Sequence, residues 1–171
     1  MTNSKIKQTK KNEWISFKKS KIHSTGGFAV KDIPKGTRII EYIGKKITKK
    51  QADEIADKEL AKHQKNKNNG AVYIFELDKK YDIDGNVLWN SARLINHSCS
   101  PNAEADVKKD HIWIKAIKKI KKGEEITYDY GYDLDEWQDH PCECKSDNCI
   151  GFIVSKEHWP KLIKKLDSYA N

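Results

Sequence analysis

Arginine is nearly missing from this 171-residue chain: of 33 basic residues only Arg38 and Arg93 carry a guanidinium. Guanidinium forks are what grip phosphates and guanines through paired hydrogen bonds, so nucleic acid is not expected as the main partner. Long apolar runs are missing as well. No stretch approaches the roughly 18 to 20 residues of a membrane span, and the lysine-rich start has no hydrophobic segment of the kind that marks a secretory signal. The composition therefore predicts a soluble intracellular protein without membrane attachment, in cytoplasm or nucleus, although a secreted effector is compatible with it. Cysteine is scarce, four in all, too few for the dense disulfide frameworks of small secreted domains.

The formal charge is +8, but it is unevenly spread. Residues 1–50 carry 14 lysines and arginines against 3 acids, so the remaining 121 residues carry 19 against 22 and are slightly acidic. Basicity is a property of the front end. Residues 1–12 hold four lysines and almost nothing apolar, cannot bury enough surface to order themselves, and are expected to form a disordered basic arm. The length suits one core, since a domain of this size buries roughly two-thirds of its unfolded surface.

Short runs rich in β-branched and aromatic residues, separated by Gly and Pro turns, predict strands at 14–18, 27–31, 37–43, 71–77, 81–83, 111–117 and 125–128. No helices alternate regularly between them, which argues against a parallel α/β sheet. An internal echo supports a mostly β design: Ala29, Ile33, Lys35, Gly36 and Ile39 recur at the spacing of Ala116, Ile120, Lys122, Gly123 and Ile126. Each Lys-Gly pair predicts a hairpin turn with glycine at positive φ, giving two similar hairpins far apart in sequence. Helices are expected at two places. At 48–64, Thr48 and Gln51 have capping-box spacing, and Ala52, Ile55, Ala56 and Leu60 share one face; at 159–168, Trp159, Leu162, Ile163 and Leu166 form an apolar stripe read as core packing.

Three of the four cysteines lie within eight residues as Cys142, Cys144 and Cys149, and the fourth is Cys99. Four thiolates with none left over favour a structural zinc site over buried thiols or disulfides, because a closed tetrahedral shell leaves no position for solvent or substrate. Cys99 sits inside the block Arg93-Leu94-Ile95-Asn96-His97-Ser98-Cys99-Ser100-Pro101-Asn102. A second block reads Gly123-Glu124-Glu125-Ile126-Thr127-Tyr128-Asp129-Tyr130, and a Gly-rich turn precedes both at Ser24-Thr25-Gly26-Gly27.

Together these segments resemble the SET domain of protein-lysine methyltransferases, with a post-SET cysteine motif behind it. The resemblance covers about residues 20–150 and departs from the family at Ser24, which stands where the first glycine of the turn is usual. It implies a β-clip fold of several small sheets, mostly β with short helices, and a knot-like C-terminal segment. Its organisation would be the arm at 1–12, a SET domain at 13–135, a post-SET zinc module at 136–153 and a C-terminal helix at 154–171. The implied cofactors are S-adenosylmethionine and structural Zn2+, with Cys99, Cys142, Cys144 and Cys149 holding the metal. The implied cofactor contacts are Thr25, Gly26, Gly27, Asn96, His97 and Tyr130, to which a guess adds Trp137 over the adenine. Tyr130 corresponds to the catalytic tyrosine, and Tyr73 and Tyr128 to the walls of the lysine channel.

The chemistry explains the aromatics. A substrate lysine with pKa near about 10.4 is only about one part in 2,500 neutral at pH 7, so exposing its lone pair costs roughly 4.6 kcal/mol. An apolar tyrosine-walled channel and a neighbouring sulfonium both disfavour the ammonium. Residues 123–147 add nine acids and a single lysine, Lys145, which suits a basic peptide such as a histone tail or is simply a solvated loop. The expected activity is mono- or dimethylation of lysine in basic proteins. Two alternatives stand beside it: a zinc-stabilised nucleic-acid-binding module that uses the basic arm and not the tyrosines, or a SET-type peptide binder that keeps the fold without turnover.

Overall fold

The computed structural model describes residues 12–65, 72–135 and 137–170; the arm expected over residues 1–12 lies outside them except for Asn12. Strands dominate, in the order β1 Ile15–Lys19, β2 Thr25–Ala29, β3 Arg38–Tyr42, β4 Lys45–Thr48, helix α1 Lys49–Lys65, β5 Ile74–Glu76, β6 Tyr81–Asp84, β7 Asn96–His97, β8 Ala103–Lys108, β9 His111–Ala116, β10 Glu125–Tyr128 and helix α2 Trp159–Ala170. They form three small sheets, ordered β1-β2-β10-β7, β3-β9-β8 and β4-β6-β5. The mostly β reading holds. Among the described residues no helix is long and apolar enough to cross a membrane.

The echoed segments do not close two separate hairpins; they wind around each other. One runs from β2 to β3 and the other from β9 to β10, so they carry the chain between the first two sheets in opposite directions. Ile33 and Ile120 exchange backbone hydrogen bonds at 2.8 and 3.0 Å, the Gly36 amide donates to Ala116, and the Gly123 amide donates to Ala29. Equivalent positions thus meet across an approximate two-fold axis. Gly36 and Gly123 have φ of 85° and 86°, the positive values that their turns require. Ile33 and Ile120 are fully buried, as are Ile114 and Ile126, and burying each such side chain contributes roughly 1.5 to 3 kcal/mol.

Three strands, β4, β7 and β8, escape sequence patterning, the last two for visible reasons. The β8–β9 hairpin turns through Lys109 and Asp110, both at positive φ, where Asn-Gly would be the usual signal. Strand β7 has only two residues, paired in parallel with β10 at Asn96↔Thr127 and His97↔Tyr128. Two residues show no period. The capping box of α1 forms as predicted: the Gln51 amide donates to the Thr48 hydroxyl at 3.3 Å, and the Thr48 amide donates to the Gln51 side chain at 3.0 Å.

A second, smaller core forms where Trp137, Val154 and Leu162 pack with Phe152 and Leu166. It docks α2 through Leu162, whereas Ile163 of the expected stripe is 46% exposed.

Candidate active site

Strand β2 owes its place to its two glycines. A Cβ on Gly26 would collide with the Glu125 carboxylate, and one on Gly27 would collide with the Ile15 side chain, so β1 and β10 close on β2 only because these side chains are missing. The preceding turn is held from behind. Ser24 sits at φ 40°, an uncommon conformation for a non-glycine residue, while its carbonyl accepts the Ser20 amide at 3.0 Å. Asn96, buried on β7, donates its side-chain amide to the carbonyls of His23 and Thr25 at 3.3 Å each and to Glu125 Oε1 at 2.7 Å.

In front of this turn lies a cleft of about 670 Å³, within the range of small-molecule sites. Thr25, Asn96, His97, Tyr73, Tyr128 and Tyr130, all picked out from sequence, line it. Gly26 and Gly27 lie behind its wall. Trp137 is also off the wall, 7% exposed and edge-on to Phe152 at 4.5 Å between ring centres, although its neighbours Gln138 and Asp139 reach the cleft. Among the described residues, the acids of 123–147 that line the cleft are Asp139 and Glu143; Asp57 joins them from α1. Asp129 instead accepts the Gly131 and Lys156 amides.

The aromatic wall is continuous. Tyr128 and Tyr130 have ring centres 5.0 Å apart, Tyr130 and Tyr132 5.7 Å, and Phe75 lies 6.3 Å from Tyr128 and 5.3 Å from Tyr42. Strand β10 stops at Tyr128, yet Tyr130 keeps its place beside it through a hydrogen bond from its hydroxyl to the Ile95 carbonyl at 3.0 Å. Tyr128 is 6% exposed, and its hydroxyl has no hydrogen bond among the described residues. Burial raises the pKa of Tyr42, Tyr128 and Tyr130 and pushes Tyr132 up to about 12, with neighbouring tyrosines adding to the shift. All four stay neutral at pH 7.

His97 is 4% exposed. Its Nδ1 accepts the Tyr130 amide at 3.2 Å and stands 3.7 Å from Asp129. The carboxylate favours an imidazolium, but burial outweighs it and lowers the pKa to about 4. The ring is therefore neutral at pH 7, and it forms no ion pair with Asp129.

Sequence patterning missed three residues here. Tyr42 and Tyr132 line the cleft as ordinary-looking aromatics, Tyr42 fixed by its hydroxyl donating to the Tyr73 carbonyl at 2.8 Å. Arg93 stacks its guanidinium 5.4 Å from the Tyr73 ring centre, and its buried Nε has no hydrogen-bond partner among the described residues. Its scarcity was the available signal, being one of two arginines in the chain. An orphaned cationic donor on the cleft wall suits a ligand bearing an anionic group, as S-adenosylmethionine does with its carboxylate.

The four cysteine sulfurs lie within 4.8 Å of one another. Cys99 Sγ is 3.8 Å from both Cys142 and Cys149, the edge of a sulfur tetrahedron around an ion with bonds of about 2.3 Å. Amides already point at the sulfurs, from Cys99 to Cys144 and from Gly151 to Cys149, both at 3.4 Å. Burial opposes ionisation of Cys144, but the Ser146 hydroxyl and the Cys99 amide outweigh it and lower its pKa to about 6; burial instead pushes the Cys99 thiol up to about 12. The donor set fits zinc.

Comparison with known proteins places this geometry. The pattern of the SET domain matches residues 25–131. The chain belongs to the SET-domain family. Over 147 residues it is 40% identical to the histone-lysine N-methyltransferase trr of Drosophila melanogaster, covering 81% of this chain and 6% of that protein. It is 36% identical over 152 residues to an H3 lysine-4 specific histone-lysine N-methyltransferase of Aspergillus oryzae, covering 84% and 12%. With set1 of Dictyostelium discoideum, also a histone-lysine N-methyltransferase, identity is 41% over 139 residues, covering 79% and 9%. This SET domain thus spans a small fraction of the relatives it matches, and the alignments concern the domain alone.

Proposed function

We propose that this SET domain transfers methyl groups from S-adenosylmethionine to the ε-amine of lysine in basic protein substrates, histones among them, giving mono- or dimethyl-lysine. The observation that carries this reading is the pair Tyr128 and Tyr130, packed 5.0 Å apart in a cleft that also contains the carbonyl-bound Asn96 and Arg93, whose Nε has no partner among the described residues. Bound there, S-adenosylmethionine would supply an activated methyl group on a cationic sulfur.

The chain's own residues then do three things. Thr25, Asn96 and His97 hold the cofactor against the β2 turn, with Arg93 facing its anionic end. The walls of Tyr42, Tyr73, Phe75 and Tyr128 strip water from the lysine stem, which lowers the cost of a neutral amine. Tyr130, whose phenol stays protonated, orients the reacting groups through its hydroxyl; it is too weakly acidic to serve as a base at neutral pH. Catalysis is then chiefly positioning for an in-line displacement. A nuclear site of action follows from histone substrates and is part of the same proposal.

The test is incubation with radiolabelled S-adenosylmethionine and mixed histones or cell extract, alongside Tyr130→Phe. Label on lysine in the wild type, lost in the variant, is expected. Cofactor binding without label transfer to any substrate would favour the peptide binder, and nucleic-acid binding without cofactor uptake would favour the nucleic-acid module.

A further inference from the structure

His97 touches both Tyr130 and the cysteine cluster, through opposite sides of one ring. Its Nδ1 accepts the backbone N–H of Tyr130 at 3.2 Å. A neutral imidazole has one ring proton, so with Nδ1 acting as acceptor that proton resides on Nε2. Nε2 lies 3.7 Å from Cys99 Sγ, within reach of an N–H to sulfur hydrogen bond. The remaining polar neighbour, Asp129, stands at 3.7 Å on the Nδ1 side, where no proton is available to it. The ring cannot rotate away. It is 4% exposed, meets the Tyr130 ring edge-on at 5.4 Å, and stems from β7, whose pairing with β10 sets His97 opposite Tyr128.

We propose that the His97 side chain is a positioning residue, a brace whose Nε2–H donates to the Cys99 thiolate of the metal site while its Nδ1 fixes the Tyr130 backbone. The proposal rests on the methyltransferase reading only for Tyr130's role in the reaction. It assigns the imidazole a task separate from the cofactor contact expected of this residue, which backbone atoms can make. A metal-bound thiolate is a charged acceptor, and groups that hydrogen-bond to ligands orient them and tune the metal. Metal occupancy would thereby reach Tyr130 through two hydrogen bonds, one from imidazole to sulfur and one from amide to imidazole.

Two substitutions separate the ends. His97→Asn places an oxygen near the Nδ1 position and keeps an acceptor for the Tyr130 amide but withdraws from the sulfur. His97→Gln extends an amide nitrogen toward Nε2 and keeps the donor to sulfur but loses the acceptor. In the cobalt-substituted protein, removing a hydrogen bond from a thiolate shifts the sulfur-to-metal charge-transfer band to longer wavelength. The band should shift in His97→Asn and not in His97→Gln, and His97→Asn should lose metal to a chelator about tenfold more readily. The kcat should fall further in His97→Gln, with a smaller change in KM for S-adenosylmethionine. An unshifted band in His97→Asn, or a rise in KM with kcat retained in both variants, would overturn the brace.

A measurement on the unmutated protein guards against misfolded variants. Ring nitrogen chemical shifts of His97 in the 113Cd-loaded form should place the proton on Nε2 and couple it to the metal through the hydrogen bond. A proton on Nδ1 would refute the proposal. Because neither spectrum needs methyl transfer, absent turnover in the wild type would sink the enzymatic reading and leave the brace standing.

Discussion

The Glu125 carboxylate accepts the side-chain amide of Asn96 at 2.7 Å, joining β10 to β7 directly behind the turn that faces the cleft. The same carboxylate accepts the Ser20 hydroxyl at 2.8 Å, and Ser20 Oγ in turn accepts the Ile22 amide. One acid therefore organises both ends of the segment 20–26.

Glu125→Ala should leave the Ser20 hydroxyl without its acceptor and Asn96 with only its two longer bonds to His23 and Thr25, at a cost of about 1 to 3 kcal/mol in folding stability. Because the turn loosens, affinity for S-adenosylmethionine should fall by more than the stability loss predicts. Glu125→Gln, which keeps one oxygen, should be milder in both. Urea unfolding and calorimetric titration with the cofactor measure the two effects, and equal behaviour of the variants would contradict this role.

Ser24 at φ 40° is in a region that costs a non-glycine residue about 1 to 2 kcal/mol. Glycine there removes the strain but adds backbone freedom to the unfolded chain, about 0.5 to 1 kcal/mol in the other direction. Ser24→Gly should stabilise the domain by about 0.5 to 1 kcal/mol. A lowered denaturation midpoint would mean that the serine makes a compensating contact.

The unpartnered hydroxyl of Tyr128 points to control of product. In the buried wall a phenol can hydrogen-bond the incoming amine or its water and hold it in one orientation, which leaves less room for added methyl groups. Tyr128→Phe should raise the proportion of higher methylation states at least severalfold while the first transfer persists. Mass spectrometry of a lysine peptide reads this directly; an unchanged product distribution would remove Tyr128 from that role.

How much of this could be read from the chain is clearest at particular residues. Asn96, His97, Tyr128 and Tyr130 stand in contiguous blocks, and blocks survive translation into sequence. Glu125 lies inside one of them, yet its work is done on Ser20, 105 positions away, and no local pattern reports such a partner. Strand β8 has alternating alanines and acids rather than β-branched residues, so only pairing with β9 makes it a strand. The echo around Gly36 and Gly123 was legible, but its meaning was not: equal spacing predicts equal local shape, and only the tertiary structure has the two copies clasp one another. On α1, Ala56 and Leu60 of the shared face line the cleft, a destination that periodicity alone does not report.

The four tyrosines with raised pKa make stability depend on alkaline pH. In the unfolded chain each titrates near about 10, whereas in the folded protein burial holds the phenol neutral to higher pH. The stabilisation is fully present below pH about 10; above it the unfolded state releases protons that the folded state keeps, and folding weakens. With four such groups the loss reaches about 5 kcal/mol by pH 11, a large part of the stability of a typical domain. Urea midpoints should hold between pH 8 and 9.5 and drop steeply by pH 11. A flat profile would mean that the cleft admits enough water to ionise these phenols in place.

Removal of metal should disable the site without unfolding the sheets. The main core, with Ile33, Ile114, Ile120 and Ile126, lies within the three sheets, while the small core around Trp137, Val154 and Leu162 is separate. Cys99 ties the β7 segment to Cys142, Cys144 and Cys149, and Pro141, Cys142 and Glu143 from that side line the cleft. Stripping the ion would leave thiols packed against each other in place of a tetrahedral anchor, releasing this wall. Chelation should therefore abolish methyl transfer and expose 140–153 to proteolysis, while far-ultraviolet circular dichroism changes little. Zinc should restore both properties when the thiols are kept reduced. Full activity after verified removal of the metal would show that the wall is held by its own packing, through Phe152 against Trp137, and that the cysteines serve some other purpose.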